Sequence, residues 1–343
     1  SVTWAVGSVL GPIAGGAILA FFSWRWIFLV NVPIGILGTA WAFLALHEIG
    51  EPRRGERVDL RGMILFSGGL SCLLLALTES VEWGWTSART LALLGGFVVL
   101  EGLFVLVERR PGPHFIEPSL FRSRIFTFGT AAAALQALSM FSVNFLVLFY
   151  LQAVTGVPPL HAALMILPLP LVQSVVGPLS GAWSDRVGAR LPATLGLVLQ
   201  AVACILLAQL TPTSPYGVLL AGLVVLGVGG GLFWSPNTSA VMGAAPPERL
   251  GVASATLATF RQTGMVTSFA LALAVAAAAI PAQLVGAIFL GTSVELGSVV
   301  MADFTVGMTH AFLVSALIVL GASAMTFIAG DTARTRRAAA ATG

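Results

Sequence analysis

Two ionisable side chains sit deep inside apolar stretches of this sequence, Glu101 in the run 90–107 and Arg261 in the run 251–280. A charge held in lipid is costly, so such groups mark proton, ion or substrate paths, or pair with one another. Glu101 could take up and release a proton. It also lies within about 12 Å of Arg109, which follows the run, at helical rise, so it can snorkel inward or pair with that arginine. Arg261 stands beside Gln262 and before Gly264. It has two readings, an anchor between helices, which is the plainer one, and a seat for an anion. Uncharged polar groups accompany aromatic rings elsewhere. Gln136, Asn144 and Gln152 share the run 125–152 with Phe141 and Phe145, Gln173 lies in the run 157–182, and Trp234 and Asn237 follow Gly229, Gly230 and Gly231. The regular spacing of the three amides puts them near one helix face, with modest drift. Amides among aromatics suit lipophilic or cationic ligands. Hydrogen bonding between helices is the competing use.

Other chemistries find no residues to carry them. His47, His114, His161 and His310 are scattered between different loops and ends, and Cys72 and Cys204 each stand alone in an apolar run. Neither a metal site, a disulfide nor a hydrolytic triad is suggested, and no cofactor is implied. The sequence contains no lysine, so a phosphate-binding loop ending in Lys-Ser or Lys-Thr is excluded. Energy for any work must come from an ion gradient or a partner, and no enzymatic centre is expected. The net charge of +3 rests on arginines alone, most of them in short loops, and gives no sign of a nucleic-acid partner.

The elements that must position these groups follow from composition. The chain is 57% hydrophobic and 9% charged, with mean hydropathy +0.96, whereas a soluble domain carries about 25% charged residues. Apolar runs near 1–22, 26–46, 60–78, 90–107, 125–152, 157–182, 191–210, 216–242, 251–280 and 305–329 are bounded by charge, proline or turn residues. Each approaches the roughly 20 residues that cross a bilayer, and backbone groups in lipid must bond within their own segment, so these are about ten transmembrane helices. A shorter piece, 283–290, is expected in an outer loop. The opening lacks a basic segment and a cleavage site, so no secretory leader is expected. If the first run starts inside, one side receives Arg53, Arg54, Arg57, Arg61, Arg109, Arg110, Arg122, Arg124, Arg186, Arg190, Arg249, Arg334, Arg336 and Arg337, and the other only Arg25 and Arg89. That asymmetry sets the arginine-rich side and the C-terminus in the cytoplasm, with Trp24, Trp26, Trp83 and Trp85 at the outer interface. Asp59 is expected to cap a helix, and Asp303 likewise.

Glycine adds a packing signal. Gly7, Gly11 and Gly15 recur along one helix face, Gly16 follows, and Pro12 interrupts the backbone hydrogen bonding. A face without side chains lets a second helix approach closely, and the proline bends it, which suits a pivot as well as a plain seam. The order of spans is two, then two between arginine-rich loops, then six from Arg124 onward. Six helices are half of a common transporter plan that rocks around a midplane site.

Gly7, Gly11, Pro12, Gly15 and Gly16, with Ser23-Trp24-Arg25-Trp26-Ile27-Phe28 and Asn31-Val32-Pro33-Ile34-Gly35 behind them, resemble the fifth helix and the following connection of the drug:proton antiporters of the major facilitator superfamily, in the branch with fourteen helices. Tyr150-Leu151-Gln152 and Gly156-Val157-Pro158-Pro159-Leu160 resemble that branch's connection between its ninth and tenth helices. Gly181, Asp185, Arg186, Gly188 and Arg190 match the second copy of its cytoplasmic loop motif, with Ala189 departing where a basic residue is frequent.

The resemblance implies an all-α, polytopic bundle with a defined division of labour. Residues 1–46 would be the last two helices of the N-terminal half, 47–121 two central helices with their loops, 122–330 the six-helix C-terminal half, and 331–343 a cytoplasmic tail. It also implies proton-coupled efflux of drugs or small lipophilic metabolites from a bacterial plasma membrane by alternating access. Gly7 to Gly16 would be the pivot, and Gly181 to Arg190 a charged latch holding one inside-facing arrangement. The family's first four helices and acidic coupling residue have no counterpart in this sequence, so its partners would be those helices, in cis or on another chain, besides the bilayer, substrate and protons. The opposing expectation is a membrane scaffold or remnant that binds without flux.

Overall fold

The computed structural model describes residues 7, 10–11, 14–18, 21–23, 25–45, 59–110, 115–279 and 298–330. Pro12, Trp24, His47, His114, the piece 283–290 and the tail 331–343 lie outside them, as do the side-chain surroundings of Asp303. Among the described residues every regular element is helical. The elements are α1 (Arg25–Leu29), α2 (Asn31–Ala45), α3 (Leu60–Trp83), α4 (Ala88–Glu108), α5 (Arg124–Phe149), α6 (Pro159–Ile166), α7 (Pro168–Val187), α8 (Arg190–Leu207), α9 (Tyr216–Gly243), α10 (Leu250–Ala279) and α11 (Ser298–Ala329). Eight segments among the described residues are long and apolar enough to cross a membrane; α1 with α2, α5 with its terminal turn, and α6 with α7 each form one. The segment α10, with Arg261 in its interior, packs among them.

Local chemistry sets the helix ends. Asp59 accepts from the Gly62 amide at 3.0 Å, capping α3 as expected, and Ser87 and Ser123 cap α4 and α5. These caps satisfy donors that no preceding turn can reach. The chain after α5 tightens into a π turn, Tyr150–Val154, whose Tyr150 hydroxyl donates to the Thr211 carbonyl at 2.7 Å and ties this end to the α8–α9 loop. Gly156 then turns at φ +68°, and Pro158 and Pro159 open α6. Pro168 and Pro170 separate α6 from α7, since proline cannot donate back up the helix.

The core lies in the six-helix unit α5 to α11. Phe126, Phe233, Phe312, Leu146, Leu197, Leu207 and Leu223 are fully enclosed there. Glycine makes its close packing possible. A side chain at Gly196 would lie 2.6 Å from the Gly229 carbonyl oxygen, and one at Gly229 would lie 2.6 Å from the Gly196 oxygen, so α8 and α9 touch backbone to backbone. The next two glycines turn to α7, Gly230 against Gln173 and Gly231 against Val176. Three successive glycines therefore serve two neighbouring helices. Gly264 does the same for α10, resting on the Ala134 carbonyl of α5.

The α3–α4 hairpin packs on itself and then, through α3, on α10. Phe66, Phe104 and Phe115 form a three-ring cluster with centroids 5.5 to 6.2 Å apart. Glu108 accepts from the Phe115 and Ile116 amides at 2.8 and 3.2 Å, folding the following loop back onto the hairpin. That loop reaches the six-helix unit through Glu117, which meets Arg249 at 2.8 Å. An apolar cavity of about 200 Å³, lined by Phe66, Leu135, Leu138, Phe260 and Gly264 among others, lies where hairpin and bundle meet.

Candidate functional site

The candidate path residues, together with Arg261, separate into two groups by surroundings. Gln136, Asn237 and their partners are interior. Gln136 donates to the Gln200 side-chain oxygen at 2.9 Å, joining α5 to α8. Asn237 donates to the Gly129 carbonyl at 3.1 Å, joining α9 to α5. Both amides are buried, so the structure gives them to helix packing and not to an open face. Asn144 donates to the Met140 carbonyl of its own helix at 2.9 Å and is half-buried. Phe141 and Phe145 beside it are half-buried as well, and the Phe145 and Phe149 rings lie 6.2 Å apart, tilted by 33°.

Trp234, Arg261 and Gln173 form the second group. All three are half-buried. The Arg261 guanidinium lies 5.6 Å from the centre of the Trp234 ring, a cation–π approach between α10 and α9. Phe233 meets the Trp234 ring edge-on at 5.5 Å and restrains it from the core side. Gln173 rests on Gly230, one turn along α9 from Trp234. Three helices thus bring a cation, an indole and an amide to neighbouring positions. From the sequence, Trp234 and Arg261 stood in different runs, and nothing linked them.

Glu101 does not share this site. It lies on α4, and its carboxyl covers Gly69 of α3, so it belongs to the central hairpin. In the loop motif, Gly181 lets α7 approach Ser235 of α9. Gly188 takes φ +91° and bonds Ser184, ending α7. Asp185 and Arg186 are exposed. Arg190 lays its guanidinium 3.9 Å from the centre of the Phe327 ring, tying α8 to α11. Before α1, a side chain at Gly16 would lie 3.0 Å from Leu160 Cα and 3.4 Å from the Pro159 oxygen, so this glycine seats the helical stretch 14–18 on α6. At Gly7, Gly11 and Gly15 it would meet nothing within 4 Å.

Sequence reading passed over Gln200, the partner of Gln136, and the hydroxyl bridges that close the bundle. Ser142 donates to the Ser268 carbonyl at 2.9 Å, Ser139 to the Ser315 carbonyl at 3.0 Å, and Ser180 to the Gly231 carbonyl at 2.7 Å. The available signal for Gln200 was a lone amide in an otherwise apolar run, the same signal that singled out Gln136.

The sequence matches the family description Major Facilitator Superfamily over residues 1–269. The chain belongs to the Major Facilitator Superfamily. It is 33% identical over 282 residues to the multidrug resistance protein Stp of Mycobacterium tuberculosis, covering 82% of this chain and 52% of that protein. It is 31% identical over 254 residues to the tetracenomycin C resistance and export protein of Streptomyces glaucescens, covering 74% and 47%. It is 31% identical over 273 residues to the riboflavin transporter RibZ of Clostridioides difficile, covering 78% and 57%. The chain spans about half the length of these curated relatives. All three are bacterial, and their names describe resistance, export or transport rather than catalysis. The all-α bundle expected of a major facilitator chain is the one the structure has.

Proposed function

We propose that this major facilitator chain forms the C-terminal portion of a fourteen-helix, proton-coupled exporter of drugs or small lipophilic metabolites. Residues 122–330 make its six-helix half, 47–121 its central hairpin, 1–46 the last two helices of the other half, and 331–343 a cytoplasmic tail in a bacterial plasma membrane. The half-buried group of Trp234, Arg261 and Gln173 carries this reading. Lipid-spanning helices hold polar groups at membrane depth at a cost, and here they gather them on three helices without enclosing them. An aromatic wall with a few polar groups is what a site for varied lipophilic molecules requires.

The supporting parts have roles in the same cycle. The helix that carries Gly7 to Gly16 pivots on α6 at Gly16, and the other half of the protein, in cis or on a partner chain, packs along Gly7, Gly11 and Gly15. Asp185 and Arg186 are available to latch that half in one arrangement and release it in the other, while Arg190 stays on Phe327.

Accumulation of a fluorescent lipophilic substrate in cells producing the protein from its full reading frame tests the reading. Producing cells should hold several-fold less dye than controls, and an uncoupler should erase the difference. Trp234→Ala at wild-type abundance should raise the dye content toward the control. Low accumulation that survives the uncoupler would rule out proton coupling.

A further inference from the structure

Arg261 is placed oddly for an anchor. From the start of α10 it rises about 16 Å, and Trp234 stands about 14 Å from the adjoining end of α9. In a hydrocarbon layer about 30 Å thick, both lie near the middle. An arginine that fastens helices together bonds a carboxylate or helix-end carbonyls. Arg261 makes no hydrogen bond or ion pair among the described residues, and its described contact is the face of Trp234. Of the helices packed on α10, α5 and α9 contain neither Asp nor Glu, α3 carries Glu79 and Glu82 only in its last two turns, and α11 carries Asp303 in its first two. Asp185 is exposed at the C-terminal end of α7, one turn beyond Gly181, and Glu101 lies on the central hairpin, against α3. A cation–π contact alone returns less than a midplane guanidinium costs in lipid.

We propose that Trp234 and Arg261 form a subsite for small aromatic anions, carboxylates or phenolates, within the path proposed above. The ring of such a ligand stacks beside the indole, and its anionic oxygens accept paired N–H bonds from the guanidinium, whose planar fork fits a carboxylate. Gln173, one turn away along α9, adds one amide that can bond polar substituents of the ring. Phe233 keeps the indole in place from the core side. Neutral aromatics still use the indole and lose only the charge contact, so the subsite biases a broad path toward acids without closing it to other substrates.

Three isosteres separate charge from shape: 9-anthracenecarboxylate, 9-anthracenemethanol and 9-(aminomethyl)anthracene. Their binding to the purified full-length protein in nanodiscs of zwitterionic lipid is measured at neutral pH. The wild type should bind the carboxylate roughly tenfold more tightly than the alcohol and the amine most weakly. Arg261→Gln should remove the preference, bringing the carboxylate to the level of the alcohol, Arg261→Lys should keep part of it, and Trp234→Ala should weaken all three. Equal binding of carboxylate and alcohol by the wild type would overturn the proposal, and so would a preference that survives Arg261→Gln. Should Arg261→Gln fail to fold, the wild-type comparison and Arg261→Lys still decide. A clear preference for the carboxylate in a protein that shows no proton-driven flux would support this subsite while removing the exporter reading.

Discussion

Gln136 of α5 and Gln200 of α8 are joined side chain to side chain at 2.9 Å, inside a bundle that excludes solvent from both. The pair bridges two helices that otherwise pack on other partners, α5 mainly on α10 and α11 and α8 on α9 and α11. Its position separates two kinds of polar residue in these apolar runs, amides buried against a neighbouring helix and amides left half-covered.

Breaking one side of this pair should weaken the bundle more than removing both. Gln136→Leu leaves the Gln200 amide buried without its partner, at a cost of about 1–2 kcal/mol. Hydrogen bonds between membrane helices average nearer 0.6 kcal/mol, so the lower end is expected. The double variant Gln136→Leu with Gln200→Leu should recover most of the loss. Thermal unfolding midpoints in mild detergent check both.

The α8–α9 seam predicts a sharp contrast between glycines. Gly196→Ala places a methyl carbon 2.6 Å from the Gly229 oxygen and 2.8 Å from the Phe233 nitrogen. The helices must move apart, which overpacking data put at about 1–3 kcal/mol. Gly251→Ala meets nothing within 4 Å and removes a flexible residue from a helix, so it should be neutral or stabilising by up to about 1 kcal/mol. The same unfolding measurement compares the two.

Arg190 and Phe327 should prove coupled. Their approach at 3.9 Å is a cation–π contact worth about 0.5–1 kcal/mol where partly exposed. In a double-mutant cycle with Arg190→Gln and Phe327→Leu, the interaction energy should fall in that range. Strict additivity would mean that the ring and the guanidinium are neighbours without attraction.

Much of the fold was legible because lipid enforces simple rules. Run lengths set the spans, arginines and tryptophans marked their ends, and the capping role of Asp59 followed from its place before an apolar run. The partnership of side chains was not legible, because it depends on helix rotation and on which helices are neighbours. Gln136, Asn144 and Gln152 looked equivalent at their regular spacing. The structure buries Gln136 against α8, leaves Asn144 half-covered and bonded to its own helix, and exposes Gln152. Gly16, rather than the evenly spaced Gly7, Gly11 and Gly15, takes the close approach to α6. The cation–π pair of Trp234 and Arg261 joins residues from separate helices, and only the bundle brings them together.

The most direct measurement is proton movement in proteoliposomes holding the protein translated from its full reading frame, with a pH-sensitive dye inside and a steady proton gradient across the membrane. Adding a transported aromatic acid or drug should draw protons through the protein in the direction opposite to the substrate. The movement should stop with Trp234→Ala and be absent from protein-free liposomes. Tight substrate binding with no proton movement in the wild type would contradict antiport and leave a membrane protein that binds without transporting.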